Sequence, residues 1–193
     1  KNPAPAIGYL NADDIKILLS QPNRHTCSGR RDLALLSLLY DSGARVQELA
    51  DLTVASIRLE APAQVTLLGK GSKVRVVPLM KHTVQLLQGY FAENHLDMPH
   101  KLQYPLFTNQ RNEKLTRAGI CYILKKYAIL ANKSHEHFPD PKSVTPHILR
   151  HSKAMHLLEA GVNIIYIRDI LGHVDVSTTE VYARANMAMK QAA

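Results

Sequence analysis

The side chains best suited to chemistry lie in the last third of the chain. His147 and Arg150 form a His-x-x-Arg pattern, His173 ends a Leu-Gly-His triplet, and Tyr182 follows nine residues later. A tyrosine can attack a phosphodiester without a metal when neighbouring cations lower the pKa of its hydroxyl and stabilise the transition state. These residue types therefore indicate an enzyme that acts on nucleic acid. A second tyrosine, Tyr166, lies in an Ile-Ile-Tyr-Ile run and is predicted to pack in the core.

Two further cations lie upstream. Arg45 starts a predicted short helix with Glu48 one turn later, and Lys70 stands between Gly69 and Gly71 in a predicted turn. An Arg–Glu pair within one helix and a solvated turn lysine are the simpler explanations. The two glycines would, however, let the backbone of the turn approach a groove closely.

His147, Arg150 and His151 are spaced to share one face of a helix that begins at Pro146. The first turn of a helix favours an anion, and the planar guanidinium of Arg150 can hold two phosphate oxygens. A capped helix with a salt-bridged arginine and a surface histidine is the alternative. The two histidines have zinc-protease spacing, but Ile148 stands where that motif requires glutamate. We expect neither a metal ion nor another cofactor.

The net charge of +8 is concentrated in one segment. Residues 1–60 and 135–193 each carry equal numbers of basic and acidic side chains, whereas residues 61–134 carry eleven basic and three acidic ones. A solvated basic face is one explanation, but such a concentration favours a surface that binds a polyanion. The predicted DNA-binding residues in this segment are Lys73, Arg75, Lys125 and Lys126.

The composition is that of one helix-rich domain of ordinary size, with 193 residues and 46% hydrophobic content. No apolar run approaches the ~20 residues that a membrane span requires. Cys27 and Cys121 lie far apart without Cys-x-x-Cys spacing. They fit a reducing compartment, and we expect a cytoplasmic protein without disulfides.

Hydrophobic periodicity and cap residues predict a mostly α protein with a small antiparallel three-stranded sheet, an α+β fold. Asn11 and Thr145 are predicted N-caps, the latter with Pro146 at the first helical position. One helix is predicted to follow Asn11, with Ile15, Leu18 and Leu19 on one face, and the other predicted helices are residues 30–41, 45–52, 81–94, 116–132, 146–160, 163–171 and 177–186. The predicted strands are residues 54–59, 64–68 and 74–79.

Four segments in this order resemble the catalytic domain of tyrosine recombinases, the phage integrase family. The segments are DSGARVQELADL around Arg45, LLGKGSKVRVVPL around Lys70, TPHILRHSKAMHLLEAG around His147 and Arg150, and LGHVDVSTTEVYAR ending at Tyr182 and Arg184. Each segment alone is weak evidence. Their combined order and spacing cover essentially the whole chain and are specific.

The resemblance implies a role for each group at the site. Tyr182 would attack the scissile phosphate, form a 3′-phosphotyrosyl link and free a 5′-hydroxyl. Arg45 and Arg150 would neutralise the non-bridging oxygens of the transition state. The phosphotyrosyl bond would conserve the energy of the cut, so no metal or nucleotide is required.

The remaining groups would move protons or support the site. His173 would donate a hydrogen bond to the same phosphate, and His147 would act as base or donor for the tyrosine proton. Lys70 would protonate the 5′ leaving oxygen, and Glu48 would support Arg45.

The resemblance also implies domains and partners. Residues 1–9 would be an interdomain linker and residues 10–193 the catalytic domain, with the family's N-terminal core-binding domain absent from this chain. The partners would be double-stranded DNA at a specific recombination site and other copies of the protein. The protein would be a monomer when alone and a tetramer on paired DNA sites.

Three functions remain open from the sequence. The leading one is site-specific strand exchange for a mobile element, by integration, excision, resolution or transposition. The second is relaxation of DNA by a type IB topoisomerase, which uses the same nucleophile and cations. The third is DNA binding without catalysis, which the complete set of catalytic groups disfavours.

Overall fold

The computed structural model describes residues 8–172 and shows seven α-helices and one three-stranded sheet in that range. The helices are α1 (Ala12–Ser20), α2 (Cys27–Ser42), α3 (Val46–Ala50), α4 (Lys81–Asn94), α5 (Arg117–Ser134), α6 (Pro146–Glu159) and α7 (Ile164–Leu171). The strands are β1 (Ile57–Arg58), β2 (Gln64–Leu68) and β3 (Val74–Pro78). The predicted fold class is confirmed. The helix predicted at 177–186 lies outside the described residues.

Local hydrogen bonds determine where the helices begin and end. Asn11 and Asp14 form a reciprocal capping box at the start of α1, as the first predicted N-cap requires. The second helix starts three residues earlier than predicted, because the Thr26 hydroxyl accepts a hydrogen bond from the Gly29 amide at 3.1 Å. It ends at Gly43, which adopts a left-handed conformation with φ +57°.

The sheet is antiparallel in the order β1-β2-β3, with Leu67 opposite Arg75 in the second pair. The first strand is shorter than the predicted residues 54–59, because Val54–Ser56 form a 3₁₀ turn instead. The turn between β2 and β3 carries Lys70 and is closed by a 2.8 Å hydrogen bond from the Gly69 amide to the Lys73 carbonyl.

The core is centred on α2, which is buried over most of its length. Leu35, Leu36, Leu38 and Leu39 have no exposed surface, and α2 packs against both α4 and α6. A smaller cluster joins α6 to α7 through Ala154, Met155, Leu158, Ile167 and Leu171. Together these contacts bring the ends of α2 and α7 against the same side of α6.

The contact between the ends of α2 and α7 is close. A Cβ atom on Gly43 would lie 2.7 Å from Cδ2 of Leu171, so the Leu171 side chain packs directly against the backbone at Gly43. The prediction that Tyr166 packs in the core is wrong, because this side of α7 faces solvent and Tyr166 is 66% exposed.

Between residues 8 and 172, no helix combines the length and apolar character needed to cross a bilayer.

Candidate active site

Arg150 is the most constrained cation of the predicted set. It lies one turn into α6, which begins as predicted with Thr145 as N-cap and Pro146 in the first turn. The residue is 6% exposed, and its guanidinium donates to the Gly43 carbonyl at 2.6 Å and the Leu171 carbonyl at 2.5 Å. Arg150 therefore joins the C-terminal ends of α2 and α7 and is held in one orientation.

Arg45 is hydrogen-bonded to Glu48 but remains partly exposed to solvent. Its backbone amide donates to one oxygen of Glu48 at 2.7 Å, and its guanidinium donates to the other at 3.0 Å. The same guanidinium lies 3.4 Å from the Gly172 carbonyl, and the side chain remains 43% exposed. This arrangement presents a positive charge to solvent beside the end of α7.

Glu48 is buried and accepts hydrogen bonds from two arginines. Its side chain is 5% exposed, and besides Arg45 it accepts hydrogen bonds from Arg75 at 2.8 and 2.6 Å. Burial by itself raises the pKa of Glu48, but the hydrogen bonds and charges of the two arginines outweigh this effect and lower the pKa below its ordinary value. The carboxylate is therefore ionised at neutral pH.

Arg45 and Arg150 line the same cleft, which has a volume of about 750 Å³. The residues that line it are Arg45, Val46, Arg117, Cys121, Lys125, Pro141, Lys142, Val144, Thr145, Pro146, His147 and Arg150. All charged side chains among these lining residues are basic, so the cleft has a positive potential and suits a polyanion. The exposed His147 stands at its rim and can exchange protons with a bound phosphate or hydroxyl.

The structure brings together three of the six predicted catalytic residues, Arg45, His147 and Arg150, with Glu48 directly behind Arg45. The backbone of Lys70 lies on the β2–β3 turn, but its side chain is outside the described part of the molecule. His173 and Tyr182 also lie outside the described residues. The carbonyls of Leu171 and Gly172, immediately before His173 in sequence, are bound by the two arginines.

His151 lies on α6 with His147 and Arg150, but it is not among the residues that line the cleft. It is 6% exposed and turned toward Tyr9, with the two ring centres 6.3 Å apart.

Between residues 8 and 172, there is no group of three or more His, Cys, Asp or Glu side chains that could hold a metal ion.

The predicted DNA-binding residues occupy different surroundings. Lys73 is exposed on the hairpin and Lys125 lines the cleft. Lys126 points toward a second depression, with its ammonium 4.0 Å from Asp32. The role expected of Arg75 must be corrected, because its side chain is 11% exposed and its guanidinium is bonded inside the protein to Glu48.

Two basic residues of the cleft are not predicted from the sequence, Arg117 and Lys142. Arg117, Cys121 and Lys125 follow one another at intervals of four on α5, so their common face could have been read from the spacing. Lys142 lies in the loop before α6, where the sequence offers no such signal.

Tyr127 is poorly placed to act as a nucleophile. It is 3% exposed, and its hydroxyl donates to Asp32 at 2.8 Å. Burial first, and then the bond and charge of Asp32, raise the pKa of Tyr127 well above its ordinary value.

Comparisons with known proteins identify the family of this chain. The model of the Phage integrase family matches residues 8–189. Tyrosine recombinase XerD of Listeria innocua is 39% identical over 175 residues, which cover 90% of this chain and 56% of the relative. The putative integrase/recombinase y4rC of Sinorhizobium fredii is 36% identical, covering 97% and 55% of the two chains. The chain thus spans about half the length of these curated relatives.

A solved structure shows the same fold. The crystal structure of XerA recombinase superposes with a TM-score of 0.75 at 29% identity, covering 94% of this chain and 60% of the other. The family match extends over nearly the whole chain and includes the helix ends that build the basic cleft. The chain belongs to the phage integrase family.

Proposed function

We propose that this chain is the catalytic part of a site-specific DNA recombinase, which cuts and rejoins strands through a 3′-phosphotyrosyl link at Tyr182. The observation that carries the proposal is the pair Arg45 and Arg150 at one basic cleft, each bonded to the end of α7. Two fixed guanidinium groups suit the charge that develops on a phosphate under attack. The names of the XerD and XerA relatives support the same activity.

Each remaining group has a role in this proposal. Tyr182 attacks the phosphorus and displaces the 5′ oxygen, which takes its proton from Lys70. His147 accepts or returns the tyrosine proton, and His173 donates a hydrogen bond to the phosphate. Glu48 keeps Arg45 in place and neutralises part of its charge.

Double-stranded DNA is the proposed substrate, at a recombination site shared by several copies of the protein. One structural relative, XerH site-specific recombinase, was solved bound to a palindromic difH substrate. The basic lining of the cleft in the present chain suits a duplex backbone. We propose a monomer that assembles into a tetramer on paired sites.

The experiment that tests the proposal is recovery of covalent protein–DNA complexes. The purified protein is incubated with fragments of the DNA that flanks its gene. The complexes are then denatured, and the attached DNA ends are sequenced. We expect attachment at one recurrent site and exchange between two copies of that site. Relaxation of supercoiled DNA without exchange would favour a topoisomerase, and DNA binding without attachment would refute strand cleavage.

Replacing Lys125 and Lys126 by alanine is expected to weaken DNA binding in a salt-dependent way. The slope of log K against log salt concentration should decrease by roughly 0.9 for each phosphate of duplex DNA that the variant no longer neutralises. The measurement is a salt titration of binding by fluorescence anisotropy. Lys133→Ala is the matched control, because it removes an exposed lysine from the end of the same helix, away from the cleft. An unchanged slope in the double variant would move the phosphate-binding surface elsewhere, first to the β2–β3 hairpin.

A further inference from the structure

Arg75 lies at the junction of three segments that carry proposed catalytic residues. Its Nη1 and Nη2 atoms both donate to Glu48 on α3, which orients Arg45 at the N-cap of that helix. Its Nε atom donates to the Ile170 carbonyl in the last turn of α7 at 2.9 Å. Arg75 itself belongs to β3, the strand that follows the turn bearing Lys70.

Two glycines lie close to this guanidinium and to the carboxylate that it binds. A Cβ atom on Gly172 would lie 3.0 Å from Cδ and 3.3 Å from Nε of Arg75, and Gly172 has a φ of +63°. A Cβ atom on Gly69 would lie 3.3 Å from the Glu48 carboxylate and 3.5 Å from Nη1 of Arg75. These glycines directly precede His173 and Lys70 in sequence, so backbone adjacent to both residues packs around Arg75 or its partner.

The charge of Arg75 is paired with a carboxylate inside the protein. The side chain is 11% exposed, and Arg75 is not among the residues that line the basic cleft. Arg45, bonded to the same carboxylate, is 43% exposed and does line it. The shared carboxylate therefore separates a buried arginine from one that faces the cleft.

We infer that Arg75 is a positioning residue for strand cleavage, which fixes Arg45 through Glu48 and fixes the end of α7 ahead of His173. This inference rests on the proposed function, because its main readout is the rate of cleavage. Arg75 touches neither DNA nor the reacting phosphate. Its loss should slow the chemical step and leave the affinity for DNA nearly unchanged.

The test compares Arg75→Met and Arg75→Lys with wild type on a nicked duplex that carries the site mapped from the wild-type adduct. Displacing catalytic groups by about 1 Å can cost on the order of 100-fold in rate, and we expect a loss of that size in Arg75→Met. Its dissociation constant for the duplex should stay within about twofold. Arg75→Lys keeps the charge but cannot make the two parallel bonds to Glu48, so it should recover only part of the rate. Arg168→Met is the matched control, because it removes an arginine of α7 that pairs with its exposed neighbour Asp169.

A pH profile separates positioning from a general loss of folding. The charged side chains paired with Glu48 are Arg45 at the N-cap of α3 and Arg75 on β3. Without Arg75, Glu48 stays buried with one arginine, and its pKa should rise. Cleavage by Arg75→Met should therefore fall on the acidic side at a higher pH than cleavage by wild type. An equal loss of rate at every pH, or a parallel loss of DNA affinity, would overturn the inference.

Hydrogen exchange gives a readout that does not depend on cleavage. Amides in the last turn of α7 should exchange faster in Arg75→Met and Arg75→Lys than in wild type, with Arg168→Met unchanged. Unaltered exchange in both Arg75 variants would refute the link to α7. If wild type forms no adduct, the proposed function fails, whereas wild-type cleavage retained by Arg75→Met refutes the positioning role alone.

Discussion

Replacing Arg150 with alanine is expected to slow DNA cleavage by about 10²–10³-fold, the usual effect of removing one donor to a developing negative charge. Arg150 is 6% exposed and is fixed by the carbonyls of Gly43 and Leu171. Its guanidinium therefore reaches the cleft without needing to reorganise when a phosphate binds. The measurement is single-turnover cleavage of a nicked duplex that carries the mapped site.

The defect of Arg150→Ala should persist when the leaving 5′ oxygen is replaced by sulfur, because Arg150 acts on the non-bridging oxygens. Arg150→Lys should remain impaired, since one ammonium cannot replace a planar group bonded to two separate carbonyls. Thermal unfolding shows whether both variants remain folded. Cleavage by a folded Arg150→Ala within about tenfold of wild type would contradict the assigned role.

Replacing Lys70 with alanine is expected to slow cleavage of ordinary DNA by about 10²–10⁴-fold, the typical contribution of a general acid. The departing 5′ oxygen is a strong base and requires a proton, whereas a departing sulfur does not. A substrate with sulfur at the 5′-bridging position should therefore restore most of the rate to Lys70→Ala. The measurement is the ratio of cleavage rates on the two substrates.

Lys73 provides the matched control for Lys70. Both lysines belong to the β2–β3 hairpin, and the Gly69–Lys73 hydrogen bond closes the turn between them. Lys73→Ala should weaken DNA binding and show no selective recovery on sulfur. If Lys73→Ala is restored by sulfur and Lys70→Ala is not, the two roles must be exchanged.

Elements fixed by local interactions can be predicted from the sequence. The start of α6 follows from a threonine cap and an adjacent proline, and α4 occupies the predicted residues 81–94. The predicted start of α2 is too late because that prediction does not use Thr26 as a cap. The first predicted strand is too long because Val54–Ser56 curl into a 3₁₀ turn, although their valine suits a strand.

The role of Arg75 cannot be predicted from the sequence, because it depends on contacts distant along the chain. Alternation places Val74 and Val76 on the outer face of β3, where they are 63% and 48% exposed, and Arg75 with Val77 on the inner face. A shift of one residue exchanges the two faces of a strand. On the inner face Arg75 meets Glu48, which lies 27 residues earlier, and the sequence contains no local sign of that partnership.

The candidate site is predicted better than its surroundings. Arg45, His147 and Arg150 do line one cleft, as the order of motifs predicts. The burial of His151 could not be predicted, because helical spacing defines a face of a helix but not what packs against that face. Its burial beside Tyr9 depends on how the N-terminal segment packs on α6, where the Leu10 amide donates to Ser152.

The central claim is most directly tested by identifying the residue that becomes attached to DNA. Covalent complexes trapped on a nicked suicide duplex are digested with nuclease and protease, and the nucleotide-bearing peptide is sequenced by mass spectrometry. We expect a 3′-phosphate linked to Tyr182, and no adduct from Tyr182→Phe even though that variant still binds the duplex. Attachment at another residue, such as Tyr166 or Tyr127, or an undiminished yield of adduct from Tyr182→Phe, would contradict the account.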